Sequence, residues 1–238
     1  MKIDILEIRS GIDGWETVFF TVLIEVNNKL FLIDSGYNES FDDFIRVLNN
    51  KNIDVCDLSG ILITHYDIDH IGGLFKFKKQ NPELKIYSSA IEEPSISGKI
   101  KSERSVQAEK IYHSMPERHR KWIKELQNSL ENITNVNIDI TLVDGQSIEG
   151  EIIAIHTPGH TKGHLSYYIP EEKLFISGDA FVYSNNKFKI ASPRHALDLK
   201  ESINSIKKIR KLDIEKIICY HGGIVSEDIY SKLDDLIG

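Results

Sequence analysis

Residues 64–73 read Thr64-His65-Tyr66-Asp67-Ile68-Asp69-His70-Ile71-Gly72-Gly73, directly after the apolar run Gly60-Ile61-Leu62-Ile63. Four ligand-type side chains, His65, Asp67, Asp69 and His70, fall within six positions at the end of an expected buried strand. Cores are not built this way. Imidazoles and carboxylates gathered so closely repel or desolvate one another unless a cation holds them. The plainer alternative is a solvated, acidic helix start, since Asp favours helix N-termini. That accounts for Asp67 or Asp69 but not for the two histidines around them.

Upstream, Lys2 to Ile8 alternates apolar and polar residues, and Thr17 to Val26 is a β-branched and aromatic run. Asn27-Asn28 predicts a tight turn into a second strand, Leu30-Phe31-Leu32-Ile33, which ends at Asp34. Ser40 to Asn50 places Phe41, Phe44, Ile45 and Leu48 at the spacing of an amphipathic helix. With the strand Gly60 to Thr64 this predicts a strand–helix–strand crossover.

Downstream, residues 92–132 are a long charged stretch with Tyr112, Met115, Trp122, Ile123 and Leu126 at helical spacing. About forty residues make a poor independent core, so a helical insertion lying over the main body is expected. Strand patterns return at Ile138 to Val143, Glu151 to His156, His164 to Ile169 and Lys173 to Ser177. A helix over Ala196 to Lys211, a strand over Glu215 to Tyr220 and a closing helix over Ser226 to Ile237 follow. The pattern predicts an α/β chain, one domain over residues 1–238, with two sheets sandwiched between helices.

Three further clusters also follow strands. They are His156-Thr157-Pro158-Gly159-His160-Thr161-Lys162-Gly163-His164, then Ser177-Gly178-Asp179-Ala180, then Tyr220-His221-Gly222-Gly223. Pro and Gly supply the turns that aim a ring inward. A lone His after a strand is more often a hydrogen-bonded structural residue than a ligand, yet together the clusters repeat one arrangement.

In this order, Asp34, the His65 to His70 cluster, His160, Asp179 and His221, the chain resembles the metallo-β-lactamase fold superfamily, whose pattern is an early Asp, H-x-H-x-D-H, and then separated His, Asp and His. The resemblance covers most of the chain and implies a four-layer αββα sandwich. It implies one metal held by His65, Asp67 and His160, a second held by Asp69, His70 and His221, and Asp179 between them. Asp34 and His164 look like residues that orient ligands instead of binding metal.

The chain departs from the family at one point: Asp67 stands where the usual pattern has a second histidine. A carboxylate is a harder, charged ligand and shifts the preference toward iron or manganese. Two divalent ions, with zinc favoured and manganese or iron as alternatives, are therefore expected. The other reading is that Asp67 misses the metal and the centre is effectively mononuclear.

Two cations sharing a water lower its pKa toward neutrality and present a hydroxide to a carbonyl or phosphoryl centre. The resemblance thus implies a hydrolase acting on an ester, thioester, lactone or phosphodiester of a small molecule, with Asp69 carrying the proton to the leaving group. Flavodiiron proteins and persulfide dioxygenases of the same fold make a non-haem iron oxidoreductase the alternative. Quorum-quenching lactonases carry a tyrosine three residues after the Asp between the metals; here Val182 stands there and Tyr183 follows it. The consecutive histidines of glyoxalase II are absent from the first motif. Phe181 and Tyr183, which continue the Asp179 loop, and Tyr112 and Trp122 in the insertion are candidates to line the substrate pocket; docking the helices onto the body is the commoner use of such aromatics.

Composition narrows the remaining classes. The 238 residues are 41% hydrophobic and 27% charged, which fits a chain with a sizeable core. A formal net charge of −7 speaks against a nucleic-acid partner, because phosphate binding needs concentrated Lys and Arg. Two cysteines, Cys56 and Cys219, cannot build a disulfide framework, and burial is expected of both. No run reaches the ~18 apolar residues of a membrane helix and no signal-peptide core is visible, so a cytoplasmic protein is expected.

Overall fold

The computed structural model describes residues 1–238 except 13–14, 115, 117–123, 125–132 and 191–195. Two sheets of six strands each lie between helices. The first holds β1 (Lys2–Ile12), β2 (Trp15–Val26), β3 (Lys29–Ile33), β4 (Leu58–Leu62), β5 (Lys85–Ser89) and β6 (Ile140–Leu142), in that order. The Asn27-Asn28 turn has φ of 50° and 59°, the paired positive values that suit the twist of a two-residue hairpin. Strands β3 to β6 then run parallel, as the crossover through α1 (Phe41–Asn49) requires.

The second sheet contains β7 (Ser147–Ile148), β8 (Ile152–His156), β9 (Leu165–Ile169), β10 (Leu174–Ile176), β13 (Lys216–Cys219) and β14 (Gly223–Val225), ordered β14-β13-β10-β9-β8-β7. Here β10 and β13 pair in parallel and their neighbours antiparallel. A separate hairpin joins β11 (Val182–Ser184) to β12 (Lys187–Lys189).

The layers follow from the period of two along each strand, which sends alternate side chains to opposite faces. In β3, Phe31 and Ile33 face the second sheet while Leu32 faces α1. In β13, Ile218 faces the inter-sheet core and Ile217 faces α6 (Leu199–Ile209) and α7 (Ile229–Ile237). One core lies beneath α1 and α3 (Leu74–Gln80), a second lies between the sheets, and a third lies beneath α6 and α7. The architecture is the αββα sandwich.

Several details differ from the sequence reading. Strand β5 was not expected; its central Ile86 and Tyr87 are too short a run to stand out between two helical stretches. The strand expected over Gly60 to Thr64 ends at Leu62, because the Thr64 N–H turns away to a carboxylate. Within the insertion, α4 (Glu93–Ile96) and α5 (Glu103–Ser114) are helical, while Trp122 and most of 115–132 lie outside the described residues. Cys219 is buried but Cys56 is exposed, because Val55 takes the inward position of their shared turn. Among the described residues no helix is long and apolar enough to cross a membrane.

Helix α3 offers a direct test of the layering. Phe77 is fully buried against Phe41 and Phe44, at ring-centroid distances of 5.0 and 5.6 Å, whereas Phe75 is 43% exposed. Phe77→Ala is expected to cost about 3–5 kcal/mol, and Phe75→Ala no more than about 0.5 kcal/mol. Urea unfolding midpoints of the two variants measure the contrast.

Candidate metal centre

The candidate ligands all leave strand ends on one side of the sandwich. Asp34 follows β3, the 64–70 loop follows β4, the 157–164 loop follows β8, Asp179 follows β10 and His221 follows β13. Parallel pairing of β3 with β4 and of β10 with β13 brings these carboxyl ends together.

Asp34 is the joint between the first two. It sits in the left-handed region with φ 57°, which swings its buried carboxylate toward β4. Its Oδ1 accepts the Thr64 N–H at 2.8 Å, and its Oδ2 accepts the Thr64 hydroxyl at 2.9 Å and His70 Nδ1 at 2.8 Å. The His70 ring is thereby held with Nε2 free and turned toward Asp69 and Asp179, each at 3.5 Å. The Thr64 hydroxyl, having donated to Asp34, accepts from His65 Nδ1 at 3.0 Å, which leaves His65 Nε2 as a bare lone pair. The turn from Asp67 into α2 (Ile68–Ile71) is a helix start, yet the Asp67 side chain does not cap it. Gly72 and Gly73 let this turn lie on the 35–38 segment: a Cβ on Gly73 would come within 2.3 Å of the Ser35 carbonyl oxygen.

His164, also expected to orient a ligand, is fully buried and accepts the Asp179 backbone N–H on Nε2 at 3.0 Å. Its proton is therefore on Nδ1, donated to the Thr157 hydroxyl at 2.8 Å, which passes its own proton to Ser166, which in turn donates to the Ser177 carbonyl. Burial, reinforced by the neighbouring His65 and His160 rings, holds His164 well below the usual imidazole range.

The seven residues form two groups of mutually close ligand atoms: His65, Asp67 and His160, and Asp69, His70, Asp179 and His221. In the first, Asp67 Oδ2 is 3.0 Å from His160 Nε2 and 3.5 Å from His65 Nε2. In the second, His221 Nε2 lies 3.1 Å from Asp69 and 3.5 Å from Asp179. Asp179 also approaches His160 at 3.7 Å, so it touches both groups. His65 Nε2, His70 Nε2, His160 Nδ1 and Asp179 Oδ1 are buried without a hydrogen-bond partner. Such orphaned atoms are costly, and most of these face carboxylates or other imidazoles; this donor set fits divalent cations.

The groups differ electrically. Burial opposes charge on His221, but Asp179 and Asp69 push its pKa up to about 10. His65 is lowered to about 4, by burial first and by His70 next, and stays neutral.

Two residues outside the expected set complete the centre. The Arg104 guanidinium, from the first turn of α5, donates through Nε to both Asp67 oxygens at 3.1 Å and lies 3.2 Å from His160 Nε2 through Nη2. Glu92, almost fully buried, ties the two histidine loops together: its carboxylate accepts the Tyr66 N–H at 3.0 Å, the Thr161 hydroxyl at 2.9 Å and the Gly163 N–H at 2.7 Å. Both lie in or beside a charged stretch where neither period nor spacing separates them from solvated neighbours.

The aromatic pocket candidates fare differently. Phe181 is a core residue and not a pocket wall: it is fully buried, 4.7 Å from the Phe188 ring and 6.4 Å from Phe175. An apolar ring one turn after the Asp179 loop is drawn under the sheet. Tyr183 stands next to His221, whose carbonyl accepts the Tyr183 N–H, but its hydroxyl is committed to Asn186 at 2.8 Å. Tyr112 is half-buried on α5, and Trp122 is outside the described residues.

Glu92 yields a pH test on chelator-treated protein. Burial pushes its carboxyl from 4.5 up to about 7, against the Thr161, Gly163 and Tyr66 hydrogen bonds, which favour the charged form. A raised folded-state pKa contributes stability that is complete below the unfolded value and lost as pH rises through the folded one. The stability advantage of the native chain over Glu92→Gln should therefore shrink between about pH 4.5 and about pH 7, read from urea unfolding midpoints. An advantage that grows over this window overturns the assignment.

Comparison with known proteins agrees with this fold. A metallo-beta-lactamase family protein from Thermus thermophilus superposes with a TM-score of 0.77 at 18% identity, covering 98% of this chain and 78% of that one, a likeness of fold. A probable metallo-hydrolase of Bacillus subtilis is 24% identical over 214 residues, 89% of this chain and 85% of that protein. The hydroxyacylglutathione hydrolase of Buchnera aphidicola is 27% identical over 205 residues, 84% of this chain and 60% of that protein. Matches to three other curated relatives span 66%, 55% and 51% of their lengths, so this chain covers about half to two thirds of those proteins. The sequence profile of the metallo-beta-lactamase superfamily matches residues 20–221, a span that takes in every loop described above, and the chain belongs to that superfamily.

Proposed function

We propose that the chain is a metal-dependent hydrolase of a small-molecule ester, thioester, lactone or phosphodiester. The observation that carries this reading is the convergence of two ligand groups, with four buried polar atoms lacking a hydrogen-bond partner, at the carboxyl ends of both sheets. His65, Asp67 and His160 would hold one divalent ion and Asp69, His70 and His221 a second, with Asp179 common to both. Zinc suits this mixture of imidazole and carboxylate donors. Ions bound there supply Lewis acidity, which acidifies water and polarises a carbonyl or phosphoryl oxygen.

The protein's own groups do the rest. Asp34 holds the His70 ring through Nδ1, and His164 holds the Asp179 backbone. Asp69, whose backbone carbonyl accepts the Tyr220 hydroxyl at 2.5 Å, is the proton carrier to the leaving group. Burial opposes ionisation of Asp69, but His70 and His221 keep it below the usual carboxylate range, so it begins as an acceptor. The similarity to hydroxyacylglutathione hydrolases keeps thioesters among the candidates. The acidic charge balance favours a small molecule over nucleic acid, and we assign the protein to the cytoplasm.

A second reading rests on the first group, which offers two imidazoles and one carboxylate. That donor set also suits non-haem iron. An iron oxidoreductase is therefore the alternative.

Metal analysis separates the two. Protein purified without added metal or chelator is expected to contain zinc or manganese and to hydrolyse chromogenic ester, thioester or phosphodiester substrates, with activity lost on chelation. Iron with visible absorption and oxygen consumption would establish the alternative instead. Asp69→Asn, assayed at saturating zinc because the substitution also removes a candidate ligand, should lower kcat by about 10²–10⁴-fold; full turnover at full metal content would remove Asp69 from the mechanism.

A further inference from the structure

Asp67 and Arg104 are matched. The guanidinium shares its Nε–H between both Asp67 oxygens at 3.1 Å, with the Arg104 side chain 11% exposed and that of Asp67 16% exposed. A histidine at position 67 would offer this N–H one neutral lone pair; a carboxylate offers two acceptor oxygens and a compensating charge. The same guanidinium reaches His160, with Nη2 3.2 Å from Nε2 and 3.5 Å from the backbone carbonyl.

The position of the guanidinium decides what this means. His160 Nε2 faces Arg104 Nη2 at 3.2 Å and Asp67 Oδ2 at 3.0 Å, so the guanidinium sits against both the ring nitrogen and the carboxylate. A metal held by this group would bind through the same ring nitrogen and an Asp67 oxygen, the groups that the guanidinium contacts. Arg104 and a divalent ion in the His65–Asp67–His160 group therefore exclude each other. In the other group, the side-chain contacts of Asp69 and Asp179 run to His70, His160 and His221, which are themselves ligand candidates.

We propose that Arg104 is a built-in competitor for one of the two metal positions. The chain takes one divalent ion tightly at Asp69, His70, Asp179 and His221, and a second, at His65, Asp67 and His160, only when Arg104 withdraws. Arg104 thus determines metal stoichiometry. The exposed Glu103–Lys162 ion pair joins the first turn of α5, which carries Arg104, to the 157–164 loop, which carries His160.

The proposal rests on the metal-dependent reading above, and zinc binding tests the two separately. Zinc titration of chelator-stripped protein, read by equilibrium dialysis with metal analysis, is expected to show one tight equivalent and a second about a hundredfold weaker; a charge-assisted hydrogen bond is worth about ten- to a hundredfold in an equilibrium. Arg104→Leu, which brings no donor atom, should bind both equivalents within about tenfold of each other. Arg104→Lys, which keeps the charge without the planar guanidinium, should fall between, and it carries the test if the leucine variant does not fold. Two tight equivalents in the native chain, or an unchanged second equivalent in both variants, would overturn the role of Arg104 and leave the metal-dependent function standing. No zinc bound by any of the three proteins would overturn both.

Discussion

The carboxylate of Asp34 is the constraint on which the centre depends. It is fully buried, and it accepts from the Thr64 N–H, the Thr64 hydroxyl and His70 Nδ1. A buried carboxylate without such donors would be prohibitively costly, so its three partners are fixed as firmly as it is. Through them it ends β4 before Thr64, sets the path of the loop that carries four ligand candidates, and chooses which nitrogen of His70 stays free. The hydroxyl of Thr64 extends the choice to His65. One side chain outside the cluster thus determines the proton placement on two imidazoles within it.

The same logic recurs on the second sheet with different chemistry. His164 stays neutral because burial disfavours its charged form, and it spends its Nε2 lone pair on the Asp179 backbone. Glu92 spans the two halves by accepting from one loop of each sheet. The ligand candidates are positioned by a frame of residues that hold no ligand position themselves, and the polar atoms of that frame are hydrogen-bonded while four of those in the cluster are not. The contrast between a paired frame and an orphaned centre is what marks the cluster as a place for cations.

The layered fold and the gathering of the seven ligand candidates were largely legible in the sequence because both are carried by local pattern. Alternation along strands separates the faces of a sheet, and histidines and aspartates placed just past strand ends have few structural uses. Reading failed where the signal was short or required knowledge of distant partners. Strand β5 offers only Ile86 and Tyr87 between polar neighbours. Phe181 looks like a pocket residue by its distance from Asp179, and only packing against Phe175 and Phe188 shows that it turns inward. Glu92 and Arg104 sit among Lys, Glu and Ser residues that are solvated, with no period to single them out.

The sequence by itself determined the element types, the order of the ligand-bearing loops and the substitution of aspartate for histidine at position 67, because each of these is written in residue type and spacing. Tertiary structure alone decided which residue answers that substitution. Arg104 is 37 positions from Asp67 and 56 from His160, so nothing local relates them. They meet because the insertion returns α5 to the open end of the sandwich, where the guanidinium faces both the Asp67 carboxylate and the His160 ring nitrogen.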